Sequence, residues 1–157
     1  MRADLKACMA TPWPIKNAWE MSGNDRLLVD TNISIFLLDG NPKAAKFLEG
    51  KTLFFSFITE IELLGFPGIT AEEQAIVSET LGDCIKIEFT QALSWRTIEI
   101  KQRKKTKVPD AIIAATAIEF DLALLTADTG FESISGLTTI LFKLWSIIGI
   151  KVSRLQE

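Results

Sequence analysis

Short apolar runs alternate with longer stretches of helical spacing along this chain. Leu27-Leu28-Val29, Leu53-Phe54-Phe55, Cys84–Phe89, Ala123–Thr126 and Thr138–Phe142 are brief, apolar or β-branched, and bounded by polar turn-formers. That is the pattern of strands buried on both faces of a parallel sheet. The segments between them predict helices. One starts near Ile33 and stops at Asp39-Gly40; a second runs from Pro42 to Gly50 with Ala45, Phe47 and Leu48 inward. Phe57–Leu64 follows a Ser56 cap, and Thr70-Ala71-Glu72-Glu73 forms a capping box ahead of a helix to about Leu81. A long helix starts near Gln91 with Leu93, Ile98 and Ile100 on its apolar side, and another runs from Pro109 through Phe120. Strands alternating with helices predict a three-layer α/β/α sandwich with a mainly parallel five-stranded sheet. Residues 26–142 form this domain. Residues 1–25, punctuated by Pro12 and Pro14, read as an N-terminal extension, with Met21 as an alternative start. Residues 143–157 read as an apolar C-terminal tail, either a last packed element or a partner surface.

Composition narrows the chemistry. At 157 residues, 48% of them hydrophobic, the chain fits one globular domain with a full core. No apolar run reaches the length of a membrane span, and Asp4 and Lys6 interrupt any secretory signal. Two cysteines do not make a disulfide framework and point to a reducing cytoplasm. There is no histidine, which excludes Ser-His-Asp and Cys-His nucleophile schemes and histidine-ligated zinc. Carboxylates, lysines or hydroxyls, together with a hard cation, are what remain for catalysis.

Four acids stand where such a cation could be held. Asp30 ends the first strand, the edge at which open α/β sheets place their chemistry; it is also a plain helix cap. Asp128 ends the fourth strand in the same way, with a turn aspartate as its simpler reading. Asp110 starts a helix that is apolar on nearly every face, so it costs solvation unless paired or metal-bound. On Phe57–Leu64, Glu60 and Glu62 lie about 200° apart, so only one can face Asp30. Glu62, flanked by Thr59 and Gly65, leaves more room for an ion, and Glu60 is read as an ordinary exposed residue; the choice between them stays open. Two strand-end acids and two helix acids suit Mg²⁺ or Mn²⁺, which take oxygen ligands. Crowded like charges raise one another's pKa values, and a cation relieves them.

The net charge of −3 offers no general attraction to a polyanion. Lys101-Gln102-Arg103-Lys104-Lys105-Thr106-Lys107 reverses that charge locally, just ahead of Asp110. Its simpler reading is a solvated helix end. Beside an acidic metal cluster, Arg103, Lys104, Lys105 and Lys107 also offer phosphate contacts.

Leu28-Val29-Asp30-Thr31-Asn32, Ser56-x-x-Thr59-x-x-Glu62-Leu63, Pro109-Asp110-Ala111-Ile112-Ile113-Ala114-Ala115-Thr116-Ala117 and Leu125-Thr126-Ala127-Asp128 resemble, in order, the motifs of PIN-domain ribonucleases. The likeness runs from about Leu27 to Phe142 and is nearest to VapC-type toxins of bacterial toxin–antitoxin pairs. It implies a Mg²⁺- or Mn²⁺-dependent endoribonuclease with Asp30, Glu62, Asp110 and Asp128 as catalytic metal ligands. Asn32, Thr59 and Thr126 become supporting groups. An RNA substrate, a cognate antitoxin inserted into the active-site groove and a homodimer are also implied. The extension and tail exceed the usual unit, and Gly130 stands where many relatives carry another acid. Two rival readings remain: a non-catalytic PIN-like module that binds RNA or protein, and a metal-dependent phosphatase or phospho-acceptor with Asp30 as nucleophile.

Overall fold

Five strands line up in the order β3-β2-β1-β4-β5, every neighbouring pair parallel. They are β1 (Arg26–Val29), β2 (Thr52–Ser56), β3 (Ile85–Ile87), β4 (Ala123–Thr126) and β5 (Thr139–Leu141). The helices are α1 (Thr31–Leu38), α2 (Pro42–Leu48), α3 (Phe57–Leu64), α4 (Ala71–Gly82), α5 (Gln91–Arg103) and α6 (Val108–Glu119). A 3₁₀ turn covers Thr129–Ser133. The computed structural model describes residues 25–143, so the extension, Asp25 apart, and the tail beyond Lys143 lie outside the described residues.

Successive residues of a strand point to opposite faces, and here the two faces have different covers. Leu28, Phe54, Ile87 and Leu124 pack with Leu93 and Ile100 of α5 and with Ala111, Ile113, Ala114 and Ala117 of α6. Leu27, Val29, Leu53 and Leu125 pack with Ile33 and Leu37 of α1 and Leu48 of α2. Phe55 meets Leu63 of α3 with Val77 and Leu81 of α4. Right-handed crossovers account for the division, because β1, β2 and β3 are laid down in one direction and the chain then returns past them to β4. That return makes β1 and β4 neighbours and opens a crevice between their carboxyl ends.

Local differences from the sequence reading have physical causes. In the short α2, Ala44 and Leu48 form the inward pair at i, i+4, so Phe47 turns out to 38% exposure and lies edge-on to Phe142. Along α5, Leu93 and Ile100 face the core and Ile98 does not. The basic run is also not one helix end. α5 stops at Arg103, Lys104 leaves helical geometry, and Lys104–Lys107 form the connection into α6.

Candidate active site

Asp30 is buried, 5% exposed, at the end of β1. Its backbone N–H continues the ladder to Leu125 O of β4, at 3.0 Å. One carboxylate oxygen accepts the Thr31 N–H at 2.7 Å, capping α1. The other accepts the Thr126 hydroxyl at 2.5 Å. The cap and the proposed chemistry therefore belong to the same side chain. Burial is the main force on its pKa, raising it to about 6; the two hydrogen bonds pull it down, and the charges of Asp110 and Glu62 push it up.

Thr126 is itself fully buried. Its oxygen accepts the Asp128 N–H at 3.0 Å while its proton goes to Asp30, so one hydroxyl joins the two strand ends. Asn32 accepts the Ala127 N–H at 3.3 Å and holds the same loop from the α1 side. Asp128 caps the 3₁₀ turn through the Gly130 N–H, at 2.7 Å. A Cβ on Gly130 would stand 3.0 Å from that Asp128 oxygen, so the side-chain-free residue lets the carboxylate sit close.

Asp110 lies in the first turn of α6, behind Pro109, where the helix's free N–H groups favour an anion. Burial raises its pKa first and the Asp128 and Glu62 charges add to that, while Lys107 opposes them. The two α3 acids separate as their spacing requires. Glu60 is half-buried and bonds Lys86 of β3 at 2.9 Å, so it is not the ordinary exposed residue expected of it. Glu62 accepts the Thr31 hydroxyl at 2.5 Å, next to Asp30. Thr59, fully buried, has its hydroxyl 3.2 Å from that of Thr31.

Asp30, Glu62, Asp110 and Asp128 thus share one electrostatic neighbourhood, each within reach of another's charge. As they stand, no three acids among the described residues are gathered tightly enough to ligate one ion. The donor set is nonetheless all carboxylate oxygen, and its like charges disfavour ionisation of Asp30 and Asp110. Both features fit a hard divalent cation.

Asp110 and Asp128 open onto a groove of about 420 Å³. Its other wall is Lys104, Lys105, Thr106 and Lys107, with Phe131 and Ile134 behind. Arg103, on the last turn of α5, is not part of the lining. Lys104 turns its amine onto the Gly130 carbonyl at 2.7 Å and onto the Ser133 hydroxyl. Thr31 and the tie made by Lys104 are the two features that sequence reasoning missed. A hydroxyl beside an aspartate at a helix start reads as capping chemistry, and an irregular linker has no period from which to read side-chain direction.

Fold and site together define an all-parallel α/β domain with an acidic centre at its topological switch point. The chain belongs to the PIN-domain family, whose model matches residues 27–137, and it shares its fold with solved toxin–antitoxin structures. A toxin–antitoxin complex from Klebsiella pneumoniae is 32% identical, aligned over 72% of this chain and 96% of that one, with a TM-score of 0.64. VapBC2 from Rickettsia felis, bound to a DNA fragment from its promoter, aligns over 75% and 99% at 20% identity and a TM-score of 0.68. VapBC-1 from nontypeable Haemophilus influenzae aligns over 74% and 97% at 22% identity and a TM-score of 0.62. No curated protein matches the chain in sequence. Among the described residues, no helix is long and apolar enough to cross a membrane.

Proposed function

We propose that the protein is the toxin of a bacterial toxin–antitoxin pair and acts as a divalent-metal-dependent endoribonuclease. The observation that carries this reading is the buried Asp30 carboxylate, braced by Thr126 at the β1–β4 crevice, with Glu62, Asp110 and Asp128 charged around it. Asp30, Glu62, Asp110 and Asp128 are the residues that would hold Mg²⁺ or Mn²⁺. The bound cation supplies Lewis-acid polarisation of the phosphate and a more acidic water. The chain supplies the rest. Lys105 and Lys107 on the groove wall draw the RNA backbone towards the acids. Thr126 fixes the Asp30 oxygen, and Asn32 steadies the loop that carries Asp128. Hydrolysis forms one bond from water oxygen to phosphorus and breaks one bridging P–O bond, so no side-chain nucleophile is needed. A chain with no histidine is suited to that scheme.

The proposal extends to a cytoplasmic protein with a cognate antitoxin over the groove and a homodimeric assembly. The complexes among its structural neighbours support the antitoxin. The competing reading, a non-catalytic RNA- or protein-binding module, draws on the acids not being gathered into a ligand set in this structure. Purified protein incubated with structured RNAs separates the two. Cleavage in Mn²⁺ that stops in chelator and is absent from Asp30→Asn supports the nuclease; unchanged RNA in every lane supports the binding module.

A further inference from the structure

We infer that Thr31 is a positioning residue that aims Glu62 at the metal centre, an inference that rests on the proposed metal-dependent reading. Thr31 touches two of the four acids by different groups: its N–H reaches Asp30 at 2.7 Å and its hydroxyl reaches Glu62 at 2.5 Å. The second distance is that of a short hydrogen bond from a hydroxyl to a charged carboxylate. The two acids come from chain segments 32 residues apart, and among the described residues Thr31 is the one bonded to both.

The proton inventory fixes the direction of the chain of contacts. An ionised Glu62 can only accept, so the one hydroxyl proton of Thr31 is spent on it. Across the 3.2 Å between hydroxyls, Thr59 is then the donor and Thr31 the acceptor. Thr59 is fully buried, and that contact satisfies it. The order Thr59 to Thr31 to Glu62 leaves no proton free to turn away. Glu62 Oε2 is held and Oε1 is left for a ligand. Glu60, on the other side of α3, is held by Lys86 instead. The two threonines facing the crevice therefore have matching tasks: Thr126 ties Asp30 to the Asp128 loop, and Thr31 ties Asp30 to Glu62.

Thr31→Val keeps the shape and the backbone N–H and deletes the proton; Thr31→Ser keeps the proton. Mn²⁺ binding to the metal-free protein, read by titration calorimetry and by the electron spin resonance of free Mn²⁺, measures the result without any RNA. Wild type and Thr31→Ser are expected to bind alike, and Thr31→Val about tenfold more weakly, the usual cost of losing a partner behind a metal ligand. In a Glu62→Gln background the same Thr31→Val change should have no further effect, because Thr31 acts through Glu62. A general structural role would weaken binding in both backgrounds and overturn the inference, as would a Thr31→Val protein that binds as tightly as wild type. Wild type binding Mn²⁺, with Asp30→Asn losing it and Thr31→Val unchanged, sinks the Thr31 role alone. Wild type that binds no Mn²⁺ sinks the parent reading and this one together. Circular dichroism and a cooperative melt confirm that each variant is folded.

Discussion

The inner and outer halves of the site are built on opposite principles. At the β1–β4 crevice, Asp30 is buried, accepts two hydrogen bonds and leans on a fully buried threonine. At the groove, Asp110 and Asp128 face solvent and a wall of lysines. The inner acid is positioned by the protein interior and carries the cost of that burial, with its pKa raised to about 6. The outer acids are positioned by helix and turn starts, where N–H groups are already available. Geometry is set inside and charge is balanced outside, so substitutions in the two halves should fail in different ways.

The largest effect is expected at Asp30. Asp30→Asn should reduce RNA cleavage in saturating Mn²⁺ by at least about 100-fold, since an acid at the centre matters more than the partners behind it. The same change should stabilise the metal-free protein at neutral pH, because it removes a buried charge and keeps the shape. Its melting temperature should rise, and added Mn²⁺ should no longer raise it further. An Asp30→Asn protein that is both inactive and less stable would mean that Asp30 is structural.

A second test uses pH to separate the halves. In the folded protein Asp30 has a pKa of about 6 against an ordinary 3.8, so its contribution favours folding fully below about pH 4. That contribution is lost as the pH rises through about 6. At 1.36 kcal/mol per unit, the loss amounts to at most about 3 kcal/mol between those limits. Asp110 is shifted in the same direction, by burial and then by Asp128. Urea unfolding of the metal-free wild type should therefore show stability falling from pH 4 to 7, with a shallower fall in Asp30→Asn. Identical slopes would remove Asp30 as the source.

Where the acids fall on strand and helix ends was legible in the sequence, for particular reasons, but which of them is buried was not: the burial cost was expected at Asp110 and is largest at Asp30. Asp30 and Asp128 each follow a short apolar run, and strand ends in an open α/β sheet are where a carboxylate is conspicuous. Asp110 behind Pro109 marks a helix start, and the alanines after it mark a buried helix. The five-stranded parallel sheet followed from alternation of elements, whereas its order, β3-β2-β1-β4-β5, comes from the structure. Contacts made across the chain were not legible. The bond from Thr31 to Glu62 exists because α3 lies beside α1, and no local pattern encodes that. Phe47 and Ile98 were expected inward on hydrophobicity alone, whereas the i, i+4 and i, i+7 partners in α2 and α5 decided the face.

A third test bears on the outer half. Lys105 and Lys107 line the groove, Lys107 within the field of Asp110, and among the described residues neither makes a hydrogen bond or ion pair, so they are the lysines expected to meet phosphate. Each substitution by alanine should flatten the dependence of log affinity on log salt by about 0.7 for single-stranded RNA. Fluorescence anisotropy with the Asp30→Asn protein measures this without cleavage. Unchanged salt slopes would place the RNA path elsewhere.

The smallest effect is expected at Lys104, whose chemistry is the same as its neighbours' and whose position is not. Its amine is committed to the Gly130 carbonyl and the Ser133 hydroxyl, across the mouth of the groove from the linker that carries it. Gly130 also donates to Asp128, so Lys104 braces the turn that presents that acid. Lys104→Met keeps the length and removes the donor. The salt slope should stay at the wild-type value, because no phosphate contact is lost. Stability should fall by less than about 1 kcal/mol, the ordinary net worth of a hydrogen bond. Cleavage should fall modestly, and Ser133→Ala should reproduce part of the fall with every lysine still present. A Lys104→Met protein whose slope flattens as much as that of Lys105→Ala would show instead that the amine leaves Gly130 for the RNA. The wall of the groove would then be one uniform basic surface, and the contrast between a braced lysine and two free ones would be lost.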